Sequence, residues 1–256
     1  DRDILLIPLL HAGKRLAMLR LSGVVPDQAR ILLPILPHIL TPCLQSMDLE
    51  LQLNRDPLTG MFRPEVLFQR ISSQIRELAG FLQPGLGSVE DPGRRPDFAL
   101  LVVDITRMSD LNRQAGHAVG DQILQSAAQA IHEAAGPHSL GSRIQGDSFA
   151  LLLPGVGPQR IASRAEDIGH AVRELRFVHP VSQMQIKLEV SMGAANFPQD
   201  LKGASVQAEP EEQGRHLFDL AREGQRRALS LGRREVVTPS DILKHCGRIT
   251  EIVSSS

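Results

Sequence analysis

Residues 143–149 read Arg-Ile-Gln-Gly-Asp-Ser-Phe, and the segment runs on through Ala-Leu-Leu-Leu to residue 153. Gly146-Asp147 suits a tight hairpin turn, since glycine accepts the left-handed backbone such turns require. The apolar run Ser148–Leu153 predicts a strand leaving that turn for a core. Upstream, Phe98-Ala-Leu-Leu-Val-Val-Asp104 is apolar until its last residue. A run of this kind predicts a buried central strand that delivers Asp104 to its end.

Around these two strands the pattern alternates. Helices are expected over 117–135, 158–176 and 216–231, and strands over 185–196 and 235–237. Thr238-Pro-Ser-Asp241 is a helix start signal. Residues 80–97 are rich in Gly and Pro without periodicity, and read as a loop. This order predicts an α+β sandwich with helices covering one sheet.

Ahead of this region, residues 3–10 and 15–22 are apolar runs separated by His11-Ala-Gly-Lys14, which predicts a β-hairpin. Residues 26–54 carry Leu and Ile at helical spacing, interrupted by Pro34, Pro37 and Pro42. Each internal proline removes a helical hydrogen bond, so a kinked helix is expected up to 42 and a cleaner one after it. Such a segment either pairs with its copy in a homodimer or packs on its own chain.

Across its 256 residues the chain is 42% hydrophobic and carries a net charge of −1, which argues against a general electrostatic grip on nucleic acid or anionic membranes. Trp and Tyr are absent, so the usual stacking platforms for single strands are missing. Cys43 and Cys246 lack metal or redox spacing and read as reduced thiols. No apolar run approaches the ~20 residues of a membrane helix. No leader is visible, and the chain opens on Asp1, as an excised segment would. The expected compartment is the cytoplasm.

Four separated segments, in order, resemble the GGDEF (diguanylate cyclase) family over roughly 54–237. Asp56-Pro-Leu-Thr-Gly60 resembles its opening D-x-L-T-G. Asp104-Ile-Thr-Arg-Met-Ser-Asp-Leu-Asn112, followed by Gly116-His117 and Gly120-Asp121, resembles D-(I/L)-D-x-F-K-x-I-N-D-x-x-G-H-x-x-G-D. Arg143–Phe149 stands in the place of R-x-G-G-(D/E)-E-F. Val190-Ser-Met-Gly193 and Gly232-Arg233 are similar to its V-S-x-G strand and closing G-R. The resulting expectation is a GGDEF-like domain over 55–238 and a helical tail over 239–256. Residues 26–54 would be the connecting helix, and residues 1–25 resemble the closing strands of a GAF-like sensor domain.

The resemblance implies a ferredoxin-like, nucleotide-cyclase palm with a mostly antiparallel sheet. Working members join two GTP molecules, the 3′-hydroxyl of one attacking the α-phosphate of the other, to give cyclic di-GMP and diphosphate. Divalent ions (Mg²⁺ or Mn²⁺) need hard oxygen ligands for that chemistry. Asp104, Asp147 and the Ile105 carbonyl fall at the metal positions, with Asp147 in the hairpin as the surviving catalytic carboxylate. Asn112 and Asp121 fall where the guanine edge is bound. Gly146 and Arg233 fall at nucleotide-contact positions.

The departures are as informative. Gln145 replaces a glycine where backbone must approach ligand closely. Ser148 replaces a glutamate and brings no charge. Thr106 stands for an aspartate, and Ser109 and Leu229 stand for lysines. Losses of preorganised charge of this kind cost about 100-fold or more each. The product-inhibition R-x-x-D would fall at Gly136-Pro-His-Ser139, where neither charged residue is present. The expectation is a degenerate cyclic di-GMP signalling domain that is catalytically silent or severely weakened and keeps guanine-nucleotide binding. An active cyclase and a ligand-free dimerisation scaffold are the alternatives.

Structural roles compete at each position. The competing reading of Asp104 is a strand-end carboxylate capping the next helix, with the metal position favoured, and that of Asp147 is an ordinary turn residue. His117 reads as structural, and Arg143 as a support of the hairpin. Arg222–Arg234 reads as a solvated helix face, with Arg233 the exception, and Met184 and Met192 as core.

Overall fold

Strand Phe98–Ile105 is the centre of the fold. In a computed structural model, the described residues are 4–11, 14–22, 53–82, 97–179, 181–183, 185–232 and 236–241. The connecting segment expected over 26–54 lies outside them except for its last two residues, as do Arg233 and the tail beyond 241. The chain divides into two units, Asp1–Arg55 and Asp56–Ser256. Among the described residues no helix is long and apolar enough to cross a membrane.

In the first unit, β1 (Ile4–His11) and β2 (Lys14–Ser22) form the antiparallel hairpin expected from the turn residues between them. Ile4 lies opposite Ser22 and His11 opposite Lys14, with one irregularity at Leu9/Leu10.

In the second unit, β3 (Phe98–Ile105), β4 (Leu140–Gln145), β5 (Ser148–Pro154) and β8 (Val190–Phe197) make one sheet in the order β4-β5-β3-β8. Every pairing in it is antiparallel. A separate two-stranded ribbon joins β6 (Phe177–Val178) to β7 (Gln185–Ile186). Among the described residues, five helices accompany the sheet: α1 (Pro64–Leu82), α2 (Met108–Ala115), α3 (His117–Ala135), α4 (Ile161–Arg173) and α5 (Pro210–Ser230).

The apolar run of β3 is unbroken because both faces of the strand are covered. Ala99, Leu101, Val103 and Ile105 pack with Ile123, Ile131 and Ile168 of α3 and α4. Phe98, Leu100 and Val102 pack with Leu67, Ile71 and Leu217 of α1 and α5. Side chains alternate between faces along a strand, so Asp104 belongs to the α1/α5 face. Each fully buried side chain of this size contributes about 1.5–3 kcal/mol.

Helix α1 has no counterpart among the elements expected from the sequence, and it extends into 80–82, which read as loop. Its signals are Pro64 at the start and buried Leu67, Ile71 and Ile75 at four-residue spacing. The expected strand 185–196 is two strands, β7 and β8. Helix α4 is shorter than 158–176, and α5 begins at Pro210 instead of His216. Val237 hydrogen-bonds to the outer edge of β8, its amide to Met192 and its carbonyl to the Ala194 amide, both at 3.0 Å.

Helix α5 lies unusually close to β8. A Cβ on Gly193 would sit 2.0 Å from the Gln225 amide nitrogen and 2.1 Å from the Ala221 carbonyl oxygen. Backbone cannot yield as a flexible side chain does, so Gly193→Ala must push helix and sheet apart. The expected cost is about 1–3 kcal/mol, read as a lower thermal midpoint; an unchanged midpoint would contradict this packing.

Candidate functional site

The site grows from the end of β3. Asp104 is paired with Ser148 of β5 on one side and Ser191 of β8 on the other. Partners opposite one another in an antiparallel sheet point to the same face, so these residues form one polar row. The Ser148 hydroxyl bonds to Asp104. At the other end, Gln225 of α5 donates from Nε2 to the Ser191 hydroxyl at 2.7 Å, and both residues are buried.

The hairpin turn is fastened over this row. Ile105 donates its amide to the Asp147 carbonyl at 3.2 Å, which links the turn directly to the end of β3. Gly146 has φ +60, a left-handed conformation that favours glycine. Arg143 donates from Nε to the Gly146 carbonyl at 2.8 Å and from Nη1 to Asp56 Oδ1 at 3.0 Å. Asp56 also accepts from the Thr59 amide at 2.8 Å and its hydroxyl at 2.7 Å. Burial acts to raise the Asp56 pKa, but the Thr59 and Arg143 contacts outweigh it and hold the carboxyl below its ordinary value. Arg143 is therefore a staple between two motifs, in line with its expected support of the hairpin.

Burial pushes the Asp104 carboxyl up to about 6, and the nearby Asp147 charge adds to this; the Ser148 hydrogen bond and Arg222 act in the opposite direction. A cation held beside Asp104 and Asp147 would relieve this cost. Asp104, Asp147 and the Ile105 carbonyl are oxygen donors of the kind Mg²⁺ takes, with phosphate oxygens and water completing its shell. Among the described residues, no group of three or more His, Cys, Asp or Glu could hold a metal ion by itself. The residues thus fit a divalent ion that arrives with an anionic ligand better than one caged by protein alone.

The expected base-contact residues flank a helix junction. Asn112 sits on α2, and a Cβ on Gly120 would be only 1.8 Å from its Oδ1. That oxygen is buried without a hydrogen-bond partner. Asp121, the next residue of α3, is exposed. Arg107, just before α2, holds a left-handed φ of 62. Such an outlier in a non-glycine residue is backbone strain of the kind found at sites.

The positions expected to depart from the family pattern are also described. Ser109 is exposed, Leu229 is 50% exposed, and Thr106 donates its amide to the Glu189 carbonyl at 2.9 Å. Gln225 carries no signal in the sequence, and although Ser191, Asp56 and Arg143 lie in the quoted motifs, the Gln225–Ser191 and Arg143–Asp56 contacts depend on strand register and helix docking. A separate surface cleft of about 440 Å³ lies between α1 and α5, lined by Phe68, Ser72, Arg76, Glu211 and Arg215, and contains none of these site residues.

Fold and site together define a nucleotide-cyclase palm. The family model described as "Diguanylate cyclase, GGDEF domain" matches residues 53–213, and the chain belongs to the GGDEF domain family. The chain is 24% identical over 193 residues to the probable diguanylate cyclase DgcT of Escherichia coli K12, covering 75% of this chain and 37% of that protein. It therefore spans little more than a third of that relative's length. Two crystal structures of DgcB from Caulobacter crescentus in complex with c-di-GMP share the fold. Its coiled coil and GGDEF domain matches with TM-score 0.61 and 20% identity, covering 83% of this chain and 99% of that one. The GGDEF domain alone matches with TM-score 0.56 and 22% identity, covering 72% and 94%.

The raised Asp104 pKa has a measurable consequence. In the fold Asp104 keeps its proton up to about pH 6, whereas in the unfolded chain it ionises near 3.8. Its contribution to stability is complete below pH 3.8 and lost as pH rises through 6. Without divalent ions, Asp104→Asn should therefore raise the thermal midpoint at pH 8 by about 2–4 °C and show a smaller gain at pH 5. Equal destabilisation at both pH values would overturn the electrostatic account.

Proposed function

We propose that this chain is a degenerate GGDEF-type module of cyclic di-GMP signalling that binds guanine nucleotide with a divalent cation but has lost efficient cyclase chemistry. The supporting observation is the split character of the site. The Asp104 row and the fastened Asp147 turn are intact, while Ser109, Ser148 and Leu229 leave the phosphate end short of charge.

In this reading Asp104, Asp147 and the Ile105 carbonyl hold Mg²⁺ or Mn²⁺, which supplies charge neutralisation at the phosphates. Gly146 keeps the turn backbone open to ligand. Asn112 Oδ1 accepts from the purine's amino group, which would satisfy its missing hydrogen bond. Asp121 accepts from the N1–H side of guanine, and Arg233 contacts phosphate. Ser148 can donate a hydrogen bond but cannot add negative charge or accept a proton as glutamate does.

Calorimetry with GTP and Mg²⁺ tests the reading: binding is expected below millimolar GTP, and its absence up to millimolar would overturn it. Asp121→Ala should lose about tenfold in affinity for GTP while leaving ATP binding unchanged. Because the deficit is spread over several positions, Ser148→Glu alone should not produce a competent cyclase. Rapid formation of cyclic di-GMP by that single variant would contradict a distributed loss.

A further inference from the structure

The polar row leads to an arginine that no family motif singles out. Asp104 lies on the sheet face that α5 covers, and the Gln225–Ser191 hydrogen bond fixes where α5 sits over the row. Arg222 lies three residues before Gln225, one turn back on the same side of the helix. It is exposed, and among the described residues it makes no ion pair within 4.0 Å, whereas Arg226 and Arg227 both pair with Glu223. Leu229 follows Arg222 by seven residues, two turns on along the same face of α5.

A site for a triphosphate needs cations beyond the metal, and neither Ser109 nor Leu229 is one. Arg222 makes no ion pair among the described residues, and it sits one helical turn from Gln225, which is bonded to Ser191 in the Asp104 row. Its planar fork of donors matches phosphate oxygens two at a time. We propose that Arg222 holds the phosphates of a nucleotide bound at the Asp104–Asp147 end of the sheet, in place of the lysines absent at Ser109 and Leu229. This rests on the guanine-nucleotide reading above, and it removes Arg222 from the solvated face expected for the stretch 222–234.

The test is calorimetry of the unaltered protein, Arg222→Ala and Arg222→Lys against GTP, GDP, GMP and guanosine, each with Mg²⁺. The unaltered protein should bind more tightly as phosphates are added. Arg222→Ala should lose about tenfold in GTP affinity with guanosine unchanged, and Arg222→Lys should recover part of the loss. If Arg222→Ala binds GTP like the unaltered protein, or loses guanosine equally, the phosphate contact is overturned while the nucleotide reading stands. If the unaltered protein binds none of the four ligands, both fall together.

Discussion

The hydrogen bond from the Ile105 amide to the Asp147 carbonyl is the constraint on which the site depends. It joins the last residue of the central strand to the turn between β4 and β5. Without it, the register that sets Asp104 opposite Ser148 would end in a free hairpin. With it, two carboxylates from segments more than forty residues apart converge at one sheet end. The Arg143 staple then ties the turn to Asp56, so three separate motifs share one rigid corner. Burial of β3 on both faces supplies the rigidity, since a packed core resists small displacements.

That corner separates two properties that active sites normally combine. Placement of groups is set by backbone pairing, by the close approaches at Gly193 and Gly120, and by the turn at Gly146. Charge is set by individual residues, and in the proposed reading it is short at Ser109, Ser148 and Leu229. The resulting module has a shaped and partly acidic strand end, with Arg222 of α5 proposed as the cation on its phosphate side. Binding a nucleotide requires placement together with modest charge complementarity. Accelerating phosphoryl transfer requires preorganised charge aimed at the transition state, and each missing group compounds the deficit.

Much of this was readable from the sequence because it depends on local pattern. Phe98–Asp104 announces a central strand by its unbroken apolar run, and Gly146-Asp147 announces a turn by its residue types. Helix α3 falls at the expected residues 117–135, since its apolar positions recur at helical spacing. What was not readable depends on contacts across the fold. Gln225 looks like any polar residue of an exposed helix until α5 is docked on Ser191. Arg222 was indistinguishable from its arginine neighbours until their Glu223 partners were seen. Helix α1 did carry local signals, Pro64 and the four-residue spacing of Leu67, Ile71 and Ile75, which were obscured by the turn motif before it and the loop after it.

The central claim is that geometry persists here while chemistry does not. Incubation of the chain at high concentration with GTP and Mg²⁺ or Mn²⁺, followed by chromatography of the nucleotides, tests it most directly. The account predicts GTP recovered intact after times at which a competent cyclase would have consumed it. Steady accumulation of cyclic di-GMP over many turnovers would contradict it.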